Sequence, residues 1–268
     1  MNEMSTTDDL LECAIENGVA CLTFNRPQSR NALSLAMIAA LHGEIGRLGE
    51  SPDVKVIVLE GKGPAFCAGH DLKEMSAARE GDDRGRAFFT ETMENCAAMM
   101  QAIVKCPKPV IAAVDGIATA AGCQLVATCD LAVAGESSRF ATPGVNIGLF
   151  CSTPMVAVSR NLARKRVMEM LLMGEMISAE QALEWGLVNR VVAEGSATEE
   201  ALSIAASIAE KSPATVKIGK EAFYNQLEMP LEEAYRYTAQ VMVDNMLHRD
   251  AEEGINAFIE KRKPEWKG

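Results

Sequence analysis

PVIAAVDGIATAAGCQLVATCDLAVAG, residues 109–135, holds the pattern that decides the fold. PVIAAVDG is a short apolar run bounded by proline and glycine, the signature of a buried strand. A loop of small residues follows, then CQLVATC as a helix and DLAVAG as a second strand. The same order stands upstream: strand VKVIVLEG, loop KGPAFCAG, and a helix start at HDLKEM where Asp71 is placed to cap the first turn. Strands alternating with helices at this spacing predict an α/β arrangement with parallel pairing, and ligands at the carboxyl ends of the strands.

Working outward, LECAIENGVACLTFNRP alternates apolar and polar residues around Asn17-Gly18, which predicts an opening β-hairpin. NALSLAMIAALHGEIGRLGE and RAFFTETMENCAAMMQAIVKC carry helical periodicity, the second ending at Pro107. ISAEQALEWGLVNRVV reads as a helix with a capping box, Ser178 with Gln181, a stop at Gly186 and a following strand. Beyond about Thr198 the pattern is helical, interrupted at Pro213 and Pro230. We therefore divide the chain into an α/β unit, residues 1–197, and a helical region, residues 198–268, whose apolar faces cover the first unit or another subunit.

The chain has 268 residues, 48% hydrophobic and 24% charged, with a net charge of −11. That is the profile of a globular protein, and the charge argues against nucleic acid or an anionic membrane surface as partner. No run approaches the roughly 18 apolar residues of a membrane span. The acidic start MNEMSTTDDLLECAIENG lacks the features of a targeting segment, so the expected location is the cytoplasm. The 8 cysteines are scattered without a C-x-x-C pair, which favours reduced thiols. The 3 histidines stand in unrelated settings, so no metal site is expected.

FCAGHDL and TAAGCQL share one property. Each places small residues before a helix start, so unpaired amides at a positively polarised helix end can face a common cleft. Two amides aimed at one oxygen form an oxyanion hole; either glycine alone, Gly69 or Gly122, reads first as close packing or turn geometry.

Together with LTFNRPQSRNALS, FATPGVNIGLF, ISAEQALEWGLVNRVV and GINAFIEKRKPEW, in this order and spacing, these stretches resemble the enoyl-CoA hydratase/isomerase (crotonase) family along nearly the whole chain. GHDLKEM and ATPGVNIGLFCSTP mark one subgroup of it. The resemblance implies a crotonase-like spiral of ββα turns with a C-terminal helical trimerisation region, a homotrimer or dimer of trimers, and an acyl-CoA substrate. It implies no cofactor beyond coenzyme A as part of that substrate. The thioester oxygen would lie between the backbone amides of His70 and Ala121. Coenzyme A contacts would come from Ser29, Arg30, His70, Asp71, Leu72, Lys73 and Ala121, and, from the tail of the same or a neighbouring subunit, Phe258 and Lys261.

The departures bear on the reaction. Hydratases of the family carry glutamates at two positions that fall here on Gln124 and Gly144. One positioned acid or base is worth a factor of ~10²–10⁴, and one oxyanion donor ~2.7–4 kcal/mol. The chain is thus expected to bind and polarise a thioester and stabilise its enolate, yet to hydrate enoyl-CoA poorly. Isomerisation, decarboxylation and thioester hydrolysis all fit. A non-catalytic acyl-CoA-binding subunit is the alternative. Substitute groups are Ser152, Cys151, the His70 side chain, Glu91 and Glu94, each with a plainer role in packing or as a solvated face; Asp130 is expected to be structural. Replacing Gln124 and Gly144 together by glutamate is expected to raise crotonyl-CoA hydration.

Overall fold

A computed structural model describes residues 10–268; the first half of the acidic start behind the cytoplasmic expectation lies outside them. The opening hairpin forms as expected. β1 (Leu11–Glu16) and β2 (Val19–Phe24) pair antiparallel in the register Glu16↔Val19. Asn17 and Gly18 make the turn at φ 52° and 81°, the two positive values that a tight turn of this hand requires.

β2 continues into a six-stranded sheet whose other neighbours are parallel: β3 (Val56–Gly61), β5 (Val110–Val114), β7 (Leu131–Gly135) and β10 (Arg190–Val192), in the order β1-β2-β3-β5-β7-β10. A second sheet has the order β4-β6-β8-β9, with β4 (Ala65–Cys67), β6 (Ile117–Thr119), β8 (Arg139–Ala141) and β9 (Ile177–Ser178). Each turn of chain therefore lays one strand in the large sheet and the next in the small one: β3 then β4, β5 then β6, β7 then β8. This is the ββα spiral. The stretch KGPAFCAG, expected as loop throughout, contains β4, because a three-residue strand is too short to show alternation.

The helices in chain order are α1 (Leu35–Glu50), α2 (Leu72–Ala78), α3 (Arg86–Lys105), α4 (Ala121–Thr128), α5 (Pro154–Asn161), α6 (Arg164–Met173), α7 (Ala179–Trp185), α8 (Ala197–Ala209), α9 (Pro213–Gln226), α10 (Leu231–Met246) and α11 (Arg249–Glu260). Ser34 caps α1 by accepting a hydrogen bond from Met37 N at 3.1 Å. The capping box of α7 and the left-handed Gly186 that ends it are both present. α4 is buried at all eight positions, so it forms the centre of the main core, with Leu41, Met99, Ile103 and Phe140 among its companions. No described helix is long and apolar enough to cross a membrane.

α8 lies over the opposite face of the large sheet. Its alanines 197, 201, 205 and 209 recur once per turn and contact Val56, Val58, Ile111 and Val133, all buried. A stripe of methyl groups lets the helix axis come close to the sheet. The expected boundary at 197/198 therefore falls at the start of a helix that packs with the first unit. α10 and α11 instead expose Leu231 (74%), Leu247 (81%) and Phe258 (85%).

Candidate active site

The first junction follows β4. Ala68 N donates to Arg30 O at 3.0 Å, Leu33 N to Gly69 O at 2.8 Å, and Asp71 N to Leu33 O at 3.1 Å. His70 is thus bridged to Leu33 by the peptide groups on either side of it. In a planar trans peptide the C=O and N–H point opposite ways, so with Gly69 O turned to Leu33 N the N–H of His70 points away from Leu33. Asn31 fixes the entry to this junction. Fully buried, its amide nitrogen donates to Lys62 O (3.0 Å) and Ala65 O (2.7 Å), while its oxygen accepts from Arg26 N (2.9 Å). Nothing in the sequence around Asn31 marks this role beyond the residue type: it sits at φ 54°, a conformation that asparagine adopts more readily than most residues.

The second junction is Ala120–Gly122. Ala120 sits at φ 51°, ψ −117°, a region that costs a non-glycine residue about 1–3 kcal/mol and persists only when its surroundings enforce it. Two bonds enforce it: Ala120 N donates to Ala141 O at 2.9 Å, and Ala120 O accepts from Gln124 N at 3.0 Å. The twist starts α4 abruptly. The first amides of the helix, from Ala121 onward, have no acceptor within it and form its positive end.

The two junctions touch. A Cβ on Gly122 would stand 2.0 Å from Cys67 O, and one on Gly69 2.9 Å from Ala120 Cβ and 3.4 Å from Ala121 N. Gly69 also needs its φ of 94°. Close approach is therefore what both glycines serve, and the approach brings the His70 and Ala121 peptides together. Paired amides beside a helix start can hold an oxygen that gains negative charge.

The side chains around this pair are short of partners. Among the described residues, Nε2 of His70, Oε1 of Gln124 and Oγ1 of Thr142 are buried without a hydrogen-bond partner. Burial lowers the pKa of His70 from 6.5 to about 4, so its ring is neutral near pH 7. The Cys67 and Cys123 thiols are pushed up to about 12 by the same cause. At Gly144 the structure adds an obstacle absent from the sequence reading. A Cβ there would lie 2.9 Å from Leu149 O and 3.0 Å from Cys151 Sγ, because the chain turns back and Gly144 N donates to that sulfur at 3.3 Å. The expectation that a glutamate pair at 124 and 144 raises hydration needs this correction: position 144 lacks room unless the 149–151 segment moves.

Ser152 is exposed, its hydroxyl donating to Phe150 O at 3.3 Å. Glu91 and Glu94 are exposed on α3. Asp130 is structural as expected: it accepts from Val110 N (2.7 Å), Lys220 Nζ (2.6 Å) and Tyr224 OH (2.9 Å), tying α9 to the edge of β5. Asp71 caps α2 through Lys73 N at 3.0 Å. Leu72 and Lys73 are exposed beside it, and exposed Arg30 is joined to the junction through its carbonyl. Ser29 donates to Arg26 O at 3.2 Å. Phe258 and Lys261 are exposed at the end of α11 and carry none of the junction's hydrogen bonds.

Comparison with known proteins agrees with this geometry. Residues 14–268 match the family model described as enoyl-CoA hydratase/isomerase. The rat protein named enoyl-CoA hydratase domain-containing protein 3, mitochondrial, is 49% identical over 251 residues, 94% of this chain and 82% of the relative. The 2,3-dehydroadipyl-CoA hydratase of Escherichia coli is 34% identical over 251 residues, 93% of this chain and 95% of that one. Among solved structures, human enoyl-CoA hydratase domain-containing protein 3 superposes with a TM-score of 0.91 at 48% identity, covering 96% of this chain and 100% of the other. An enoyl-CoA hydratase of Mycobacterium smegmatis gives 0.91 at 51%, covering 96% and 98%. The rat, human and mouse relatives are named as mitochondrial proteins, which overturns the cytoplasmic expectation drawn from the acidic start. From one end of the described spiral to the other, the chain belongs to the enoyl-CoA hydratase/isomerase family.

Proposed function

We propose that this protein processes acyl-CoA thioesters by holding the thioester oxygen between the amides of His70 and Ala121 and stabilising the enolate. The observation that carries the reading is the contact of the two junctions, with Gly122 against Cys67 O and Gly69 against Ala120. A pair of preorganised donors lowers an enolate barrier by several kcal/mol, at ~2.7–4 kcal/mol for each. Hydration in the ordinary way is disfavoured, since Gln124 cannot relay a proton and Gly144 is closed. In this reading Ser29, Arg30, Asp71, Leu72 and Lys73 would contact coenzyme A, and Phe258 and Lys261 would reach it from the helical region 198–268 of the same or an adjoining subunit. The exposed apolar residues of α10 and α11 support assembly as a homotrimer or dimer of trimers. Coenzyme A enters only as part of the substrate, and no metal or further cofactor takes part.

A non-catalytic acyl-CoA-binding subunit is the second reading, favoured by the same two substitutions. Incubation with a panel of enoyl-, β-hydroxyacyl- and malonyl-type CoA thioesters, followed by enoyl absorbance, free thiol and product mass, separates them. Turnover of one member is the expected result. Binding without turnover of any would leave the binding subunit, and no binding would contradict both.

A further inference from the structure

Making an enolate requires a group that accepts the α-proton of the thioester, and backbone amides cannot accept it. The two junction peptides, residues 67–71 and 120–124, carry four titratable side chains: Cys67, His70, Asp71 and Cys123. Burial keeps both thiols protonated, pushed up to about 12. The Asp71 carboxylate is engaged in capping α2. Neither Gln124 nor Gly144 supplies an acid. His70 remains. Its Nε2 is buried and has no hydrogen-bond partner among the described residues, whereas the great majority of buried polar atoms in folded proteins are paired. Burial sets its pKa at about 4, so the ring is a neutral base at pH 7 with the proton affinity of an ordinary carboxylate. Its backbone N–H is turned from Leu33, and the glycine before it packs on Ala120 and Ala121, so the ring is carried by a residue at the meeting point of the two junctions.

We propose that the His70 side chain is the catalytic proton acceptor of this site, serving acyl-CoA thioesters that bear an α-hydrogen. In this step the α-C–H bond breaks and a proton passes to the imidazole. The electron pair of that bond becomes the enolate, whose negative charge rests on the thioester oxygen between the His70 and Ala121 amides. Return of a proton from the imidazolium to the same carbon restores the thioester, and return to a carbon further along an unsaturated chain isomerises it. No other reactant is consumed. The proposal rests on the acyl-CoA reading above, and it moves the proton-transfer role from the two glutamate positions to a residue whose backbone alone that reading uses.

Proton exchange tests it without knowledge of the natural reaction. Butyryl-CoA, which has no double bond to hydrate, is incubated with the full-length protein in D2O, and deuterium at its α-carbon is followed by mass spectrometry beside its Kd. The wild-type protein is expected to catalyse the exchange. His70→Ala and His70→Gln keep the backbone amide, remove the base, and are expected to slow exchange by about 10²-fold or more, while butyryl-CoA still binds. His70→Gln fills the space of the ring and guards against a folding defect in the alanine variant. Exchange at the wild-type rate in a folded His70→Gln protein overturns the proposal, as does binding of butyryl-CoA by the wild type with no exchange above buffer. Both leave thioester binding intact; failure of the wild type to bind butyryl-CoA removes the acyl-CoA reading and this inference together.

Discussion

Gly122 has no tolerance for a side chain. With Cys67 O 2.0 Å from where a Cβ would stand, Gly122→Ala must push β4 and α4 apart, costing about 1–3 kcal/mol as overpacking does. Denaturant unfolding reads that loss, and titration with butyryl-CoA is expected to show weaker binding as the two amides separate. Thr142 presents the opposite case. Its hydroxyl is buried and unpaired, so Thr142→Val trades an unsatisfied group for a methyl of the same shape and is expected to raise the Tm, by an amount on the order of 1 kcal/mol in stability. A lower Tm would mean that the hydroxyl is satisfied in solution. His70 makes stability depend on pH. Its folded pKa of about 4 lies below the ordinary 6.5, so the unfolded chain binds the extra proton between these values. The contribution is complete above pH 6.5 and is lost as pH falls toward 4, to a total of about 3 kcal/mol. Urea unfolding across this window is expected to show a shallower acid loss in His70→Gln than in the wild type.

At the scale of elements, the link between α9 and the sheet depends on one buried cation. Lys220 donates to Asp130, to Ile103 O and to Lys108 O, with its side chain 7% exposed. Asp130 keeps Val110 N and Tyr224 OH as donors when the cation is removed, so Lys220→Met is expected to cost about 1–3 kcal/mol. Hydrogen exchange is expected to rise first in α9, residues Pro213–Gln226. The sequence made visible those elements whose signals are local. Asn17-Gly18 forces a hairpin, Ser34 and Ser178 cap helices, and Pro213 and Pro230 divide the last helices where the structure divides them. The second sheet was not legible, since its strands of two or three residues are defined by their neighbours rather than by their own pattern. At the site, the two glycine junctions and the two substituted acid positions could be read directly. The partnership of Gly122 with Cys67, the anchoring by Asn31 and the closure of Gly144 by Leu149 could not, because each joins residues whose contact only the folded chain creates.

Across the whole molecule, the spiral explains why a strongly acidic protein can concentrate its chemistry at one point. Each turn returns the chain to both sheets, so β4 and β6 become neighbours and their following segments meet, although Gly69 and Gly122 are far apart in sequence. The helices that follow add a face rich in exposed apolar residues, including Leu231, Leu247 and Phe258. Burial of such a face between subunits would remove large apolar side chains from water, each worth about 1.5–3 kcal/mol. Sedimentation is accordingly expected to find three or six copies, and Leu247→Glu is expected to shift the distribution toward monomer. In the proposed site two backbone amides polarise one thioester carbonyl. Isotope-edited vibrational difference spectroscopy on crotonyl-CoA carrying ¹³C at that carbonyl reads this most directly. On binding, the carbonyl stretch should fall to lower frequency in the wild type and recover toward the free value in Gly122→Ala. A bound thioester whose stretch matches the free ligand would contradict the claim.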